Sequence, residues 1–221
     1  AYVHIVQSNG NKYVFNNSAT TPSYVSNNVY TLTNGTSYRL NDISYNHPMA
    51  ILNDGQSANI SYAPVSNSSD PIIIKVSGGN TSATNGDFYT FKDNTDTQIY
   101  IGNGSFRFMR GKTYKFEADG ISSSHPFKIY MSDAYVSNSG ISGTGGFITI
   151  TIPSDHSTTA GTLFYQCHAH PEMKKDLLLL HRSVTGTTAD ASYDFFYGDI
   201  SVNVNGDFGQ VSVYCYYHGY M

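Results

Sequence analysis

The stretch that decides the fold is FYQCHAHPEM (164–173), which has an echo in VYCYYHGYM (213–221). In each, a histidine stands three places after a cysteine and a methionine three places after the histidine. Cys167, His170 and Met173 thus match Cys215, His218 and Met221 at a constant offset of 48, and the chain has only these 2 cysteines in 221 residues. A disulfide between them is the plain alternative in an oxidising compartment. The spacing argues for ligation instead. A thiolate, an imidazole and a thioether on one short loop are all metal donors. By composition alone, this pattern follows a given cysteine only about once in a thousand.

Outward from the two loops, the chain reads as all-β. Short apolar or alternating runs are separated by Asn-Gly, Gly-Gly and Ser/Asn clusters, and helical periodicity is almost absent. The chain also repeats itself. NGNKYVF (9–15) matches NGDFYTF (85–91), and YTLTNGTSYRL (30–40) matches FRFMRGKTYKF (106–116) with Gly35 and Gly111 in register. NHPMAIL (46–52) matches SHPFKIY (124–130), which aligns His47 with His125. Past His125 the second copy runs on to its own cysteine loop and a closing strand, DLLLLH (176–181), whereas the first copy reaches no cysteine before the second begins. Its missing end is found in GDISVNVNGDFGQVSVYCYYHGYM (198–221).

Insertion explains this order. One domain is expected from 1–70 plus 184–221, interrupted by a complete domain over 71–183. The rival, three consecutive units, leaves a terminal hairpin too small to bury a core. Charge divides in the same way: 71–183 holds ten of the 12 Lys/Arg and nine of the 16 Asp/Glu, so the flanks carry the acidic excess.

Strand parity orders the candidate ligands. Leu163, Tyr165 and Cys167 share one face, with Phe164, Gln166 and His168 on the other. Val211, Val213 and Cys215 likewise share a face, as do His125, Phe127 and Ile129, and His47, Met49 and Ile51. Each cysteine ends an inward row, and a histidine at the start of another strand can meet it. His168 is expected to point outward. His4, His156 and His181 lack partner spacing and read as ordinary polar residues.

The donors are therefore His125, Cys167, His170 and Met173 in one site, and His47, Cys215, His218 and Met221 in the other. Two imidazoles, a thiolate and a weak thioether suit copper better than calcium, magnesium or manganese. Structural zinc sites seldom recruit a thioether. On these residues 71–183 resembles the cupredoxins, the Greek-key β-sandwich family of plastocyanin and amicyanin. The short C-x₂-H-x₂-M loop is most similar to the amicyanin-like end of that family.

The resemblance implies one type 1 copper ion cycling between Cu(I) and Cu(II). His125, Cys167 and His170 would lie in the plane with Met173 axial, and the outer edge of His170 would be the electron port. The split domain resembles the same family through His47, Cys215, His218 and Met221, departing from it in that no strand follows Met221. One or two copper ions per chain are expected. Tyr216, Tyr217 and Tyr220 around the second site read as packing or docking aromatics.

Function follows from the site. A one-electron carrier with a redox partner protein is the first reading. The second is a structural subunit of an extracellular filament, surface layer or virus particle, whose identical subunits use the metal as a staple. A copper oxidase or nitrite reductase needs further His-x-His pairs, and the only one, His168-Ala169-His170, already contributes a ligand. The net charge of −4 with 13% charged residues gives no basic field for nucleic acid. No apolar run approaches the ~18 residues of a membrane helix. The Asn/Ser/Thr/Tyr-rich composition fits an extracytoplasmic protein, and Ala1 in place of a leader fits either a mature chain whose signal peptide has gone or a trimmed one.

Overall fold

The computed structural model describes residues 2–8, 12–16, 31–52, 59–64, 71–184, 191–207, 209 and 212–220. Among them there are strands and turns and no helix, so the protein is all-β. Among the described residues no helix is long and apolar enough to cross a membrane.

The chain divides into two compact units, Ala1–Val65 with Leu180–Met221, and Ser66–Leu179. The strands of the first segment are β1 (Tyr2–Ser8), β2 (Lys12–Asn16), β3 (Thr36–Ile43), β4 (Met49–Ile51) and β5 (Ile60–Pro64). The second unit holds β6 (Ile72–Gly78), β7 (Thr90–Lys92), β8 (Gln98–Ile99), β9 (Thr113–Ile121), β10 (Phe127–Met131), β11 (Ala134–Tyr135), β12 (Gly143–Thr151), β13 (Leu163–Cys167) and β14 (Lys174–Asp176). The chain then returns to the first unit with β15 (His181–Val184), β16 (Ala191–Asp194), β17 (Gly198–Val204), β18 (Val213–Cys215) and β19 (Gly219–Tyr220).

In the 66–179 unit, one sheet runs β12-β9-β6-β7-β8 and the other β11-β10-β13-β14. Alternation explains which faces meet. On β9, Tyr114, Phe116 and Ala118 are buried while Lys115 and Glu117 turn outward and pair with each other. Phe127 and Ile129 on β10 and Tyr165 on β13 supply the opposing face. The faces interlock through aromatic rings: Phe116 to Phe127 at 5.7 Å, Phe91 to Phe127 at 6.0 Å, and Phe91 to Tyr165 at 5.2 Å between centroids. Such pairs contribute about 0.5–1.5 kcal/mol each beyond the burial of their area. This is a β-sandwich core.

The split unit repeats the same pairings. Its main sheet is β2-β1-β3-β17-β5, and a smaller one is β19-β18-β4. The parallel pair β1–β3 answers the parallel pair β6–β9, and antiparallel β17–β3 answers β12–β9. Register carries the likeness to the cysteines: Cys167 lies opposite Phe127, and Cys215 opposite Met49. In both units the residue facing the cysteine is thus the second after the candidate histidine.

Two sequence expectations differ from the fold. DLLLLH does not form a closing strand. Regular pairing ends at Asp176, after which Leu177 N–H donates to the Leu163 carbonyl and Phe108 N–H to that of Leu178. A run of leucines reads as a strand by apolarity alone, but consecutive leucines buried on several sides carry no period that demands a ladder. The boundary also falls at Leu179/Leu180 rather than at 183/184, because His181–Val184 pairs with Ala191–Asp194 inside the split unit.

Candidate metal centres

Each histidine enters its site from a short turn that the sequence builds twice. His125 N–H donates to the Ser122 carbonyl at 3.0 Å, and His47 N–H to that of Ser44 at 2.9 Å. The serine hydroxyls brace these turns, accepting from Ser124 N–H at 3.3 Å and Asn46 N–H at 3.2 Å. A proline follows each histidine, and its carbonyl accepts from the residue after the cysteine: His168 N–H to Pro126 and Tyr216 N–H to Pro48, both 2.8 Å. Histidine turn and cysteine strand are thereby fastened side by side.

The outcome in the 66–179 unit is a tight triangle. His125 Nδ1 and His170 Nδ1 are 3.1 Å apart, and Cys167 Sγ is 3.8 and 3.7 Å from them. The point equidistant from these atoms is about 2.1 Å from each, inside the ~2.0–2.3 Å span of metal–imidazole and metal–thiolate bonds. In the split unit Cys215 Sγ is 3.9 Å from His47 Nδ1 and 3.4 Å from His218 Nδ1, and the two imidazoles stack at 4.6 Å. In both triads all the donor atoms lie within 4.8 Å of one another. Neither cysteine is in a disulfide.

The surroundings are dry around sulfur and open around one imidazole. Cys167 and Cys215 are buried, whereas His170 is half-buried and His218 exposed. Burial, and then the facing His218, hold the His47 imidazole below its ordinary pKa, which favours the neutral form that can ligate. Met173 is fully buried. It returns the loop to its start, with Met173 N–H donating to the His170 carbonyl at 3.0 Å and Cys167 N–H to the Met173 carbonyl at 3.1 Å. Met221 lies outside the described residues.

His168 points away from the triad and is exposed, with Nδ1 at 3.3 Å from Lys128 Nζ. His181 pairs with Asp194 at 2.7 Å. His156 is buried with Nδ1 at 3.3 Å from the Ser132 hydroxyl, and the side chain of His4 lies outside the described residues. Tyr217 is in edge contact with His218, and Tyr216 with Phe195 and Tyr217.

Several residues that hold the first centre were not singled out by sequence reasoning. Gln166 Nε2 donates to the Pro171 carbonyl at 2.9 Å and its Oε1 accepts from the Tyr135 hydroxyl at 2.7 Å, bracing the loop from behind. Gly79 backs onto His125: a Cβ there would stand 2.7 Å from His125 Cβ and 3.2 Å from Tyr89 Cε1, at a φ of +117°. Gly79→Ala is therefore expected to cost about 1–3 kcal/mol in backbone strain, and to weaken metal binding at this centre alone by pushing His125 out of line. Denaturant unfolding and metal titration of the variant check both effects. The signal in the sequence was the Gly-Gly pair, which also reads as an ordinary turn.

The chain matches no family model, no curated protein and no solved structure.

Proposed function

We propose that each unit binds one copper ion through its His–Cys–His triad and that the protein carries single electrons. The observation that carries this reading is the donor chemistry of the two triads, one cysteine sulfur and two imidazoles within 4.8 Å, assembled twice from separate strands. The set fits the metal: sulfur and nitrogen donors suit copper, and the buried Met173 on the same loop is the candidate thioether of the first centre. Copper bound there would supply a Cu(I)/Cu(II) couple.

The chain's own residues account for the rest. Backbone hydrogen bonds fasten each cysteine strand to its histidine turn, so little has to move when charge changes. Phe127, opposite Cys167 in the register and like it buried, helps to keep water from the sulfur. His170 and His218 are the triad members that reach furthest toward solvent in the cysteine loops. Their outer edges are where a partner's electron would enter or leave.

Copper-loaded protein is expected to hold two ions per chain, to show intense visible thiolate-to-copper absorption, and to lose and regain that colour on reduction and reoxidation. Elemental analysis beside an absorption spectrum checks it. A chain that takes zinc but not copper, or takes copper without that absorption, overturns the reading.

A further inference from the structure

The NGNKYVF/NGDFYTF repeat contributes no ligand to either triad, yet it places Tyr13 and Tyr89 at matching positions. Both are buried. Tyr89 Oη–H donates to the carbonyl of His125 at 3.0 Å, and Tyr13 Oη–H to the carbonyl of His47 at 2.6 Å. The partners are 36 and 34 residues apart in the chain, so neither bond is a local turn.

A buried phenol needs some acceptor, and many carbonyls are available to it. That two tyrosines, in two units of largely different sequence, both take the carbonyl of the candidate ligand itself points to the site. The histidine turn is thus pinned at two consecutive carbonyls, that of the histidine by the tyrosine and that of the proline by the cysteine strand. Around Tyr89 the fit is closed by Gly79 and by edge-on contacts to Phe127 at 5.2 Å and Tyr165 at 5.7 Å, so the ring cannot drift.

We propose that Tyr89 and Tyr13 are the positioning residues of the two centres, each aiming its ligand histidine at the cysteine through the hydroxyl-to-carbonyl bond. This rests on reading the triads as metal sites but not on which metal fills them. Groups that orient metal ligands typically change affinity by about 10- to 100-fold when lost.

The test uses the full chain, the variants Tyr89→Phe and Tyr13→Phe, and Co(II) alone as probe. In metal-free protein, Tyr89→Phe is expected to speed amide exchange at His125 about tenfold, leaving β9 unchanged. With Co(II), it is expected to weaken the first centre about 10- to 100-fold and shift its thiolate-to-cobalt absorption, with the second centre unmoved. Tyr13→Phe is expected to do the converse. A lower melting temperature by itself would not move the band energy, so the spectrum separates positioning from mere stability. Unchanged exchange and unchanged absorption in both variants overturn the proposal, as does one variant weakening both centres equally. If wild-type protein shows no thiolate-to-copper absorption while these effects appear, the copper reading fails and the positioning role stands.

Discussion

On the proposed copper reading, Cys167→Ser is expected to remove one copper ion of two and about half of the visible absorption, Cys215→Ser to remove the other, and the double variant to be colourless. The substitution changes one atom at a buried position, so the metal-free fold should lose no more than about 1–2 kcal/mol. What disappears is the thiolate, the donor that both binds a soft metal and produces the absorption. Copper analysis and spectra of the three variants check the result. Full colour in Cys167→Ser would place the metal elsewhere. Loss of both bands in a single variant would mean that the two triads do not act as separate centres.

Asp87→Ala is the second large effect, and it acts without touching a ligand. Asp87 is 4% exposed and accepts three hydrogen bonds: Ile101 N–H on Oδ2 at 2.8 Å, Gly102 N–H on Oδ1 at 2.8 Å, and the Tyr165 hydroxyl on Oδ1 at 2.9 Å. Burial drives its carboxyl pKa up, against the pull of these donors. Truncation to alanine leaves all three donors without their acceptor in the interior. At about 1–3 kcal/mol per stranded group, partly relieved by water entering the space, a loss of about 3–5 kcal/mol is expected for the 66–179 unit. Tyr165 stands two residues before Cys167 on β13, so copper binding at the first candidate centre should weaken in parallel while the second is spared. Denaturant unfolding and copper titration of the same preparation check both halves. Asp87→Asn, which keeps one accepting oxygen, should lose less than half as much. Equal losses in the two variants would show that the donors are not what Asp87 satisfies.

Much of this protein can be read along the chain. The spacing Cys167–His170 and its copy Cys215–His218 brings donor atoms together within one loop, where only two intervening residues leave little freedom. Strand parity likewise put His168 on the far side of β13 from Cys167. Parity said less about how well that far side is covered. Phe164 and Gln166 are buried too, Phe164 beneath Tyr130 and Lys174, and Gln166 bonded to Tyr135. Alternation fixes direction, and neighbours from other strands decide burial. The leucines 177–180 misled for the same reason, since apolarity shows that a segment is covered but not that it pairs.

The order of repeats and the donor residues were determined by the sequence itself, because ligand type and loop spacing are local properties of the chain. The meeting of His125 with Cys167, and of His47 with Cys215, was decided by register: Phe127 opposite Cys167 and Met49 opposite Cys215 are non-local pairings. The roles of Tyr89, Tyr13, Gly79 and Asp87 belong wholly to the tertiary structure. A hydroxyl finds a carbonyl 34 or 36 residues away only after two sheets have closed on a shared core.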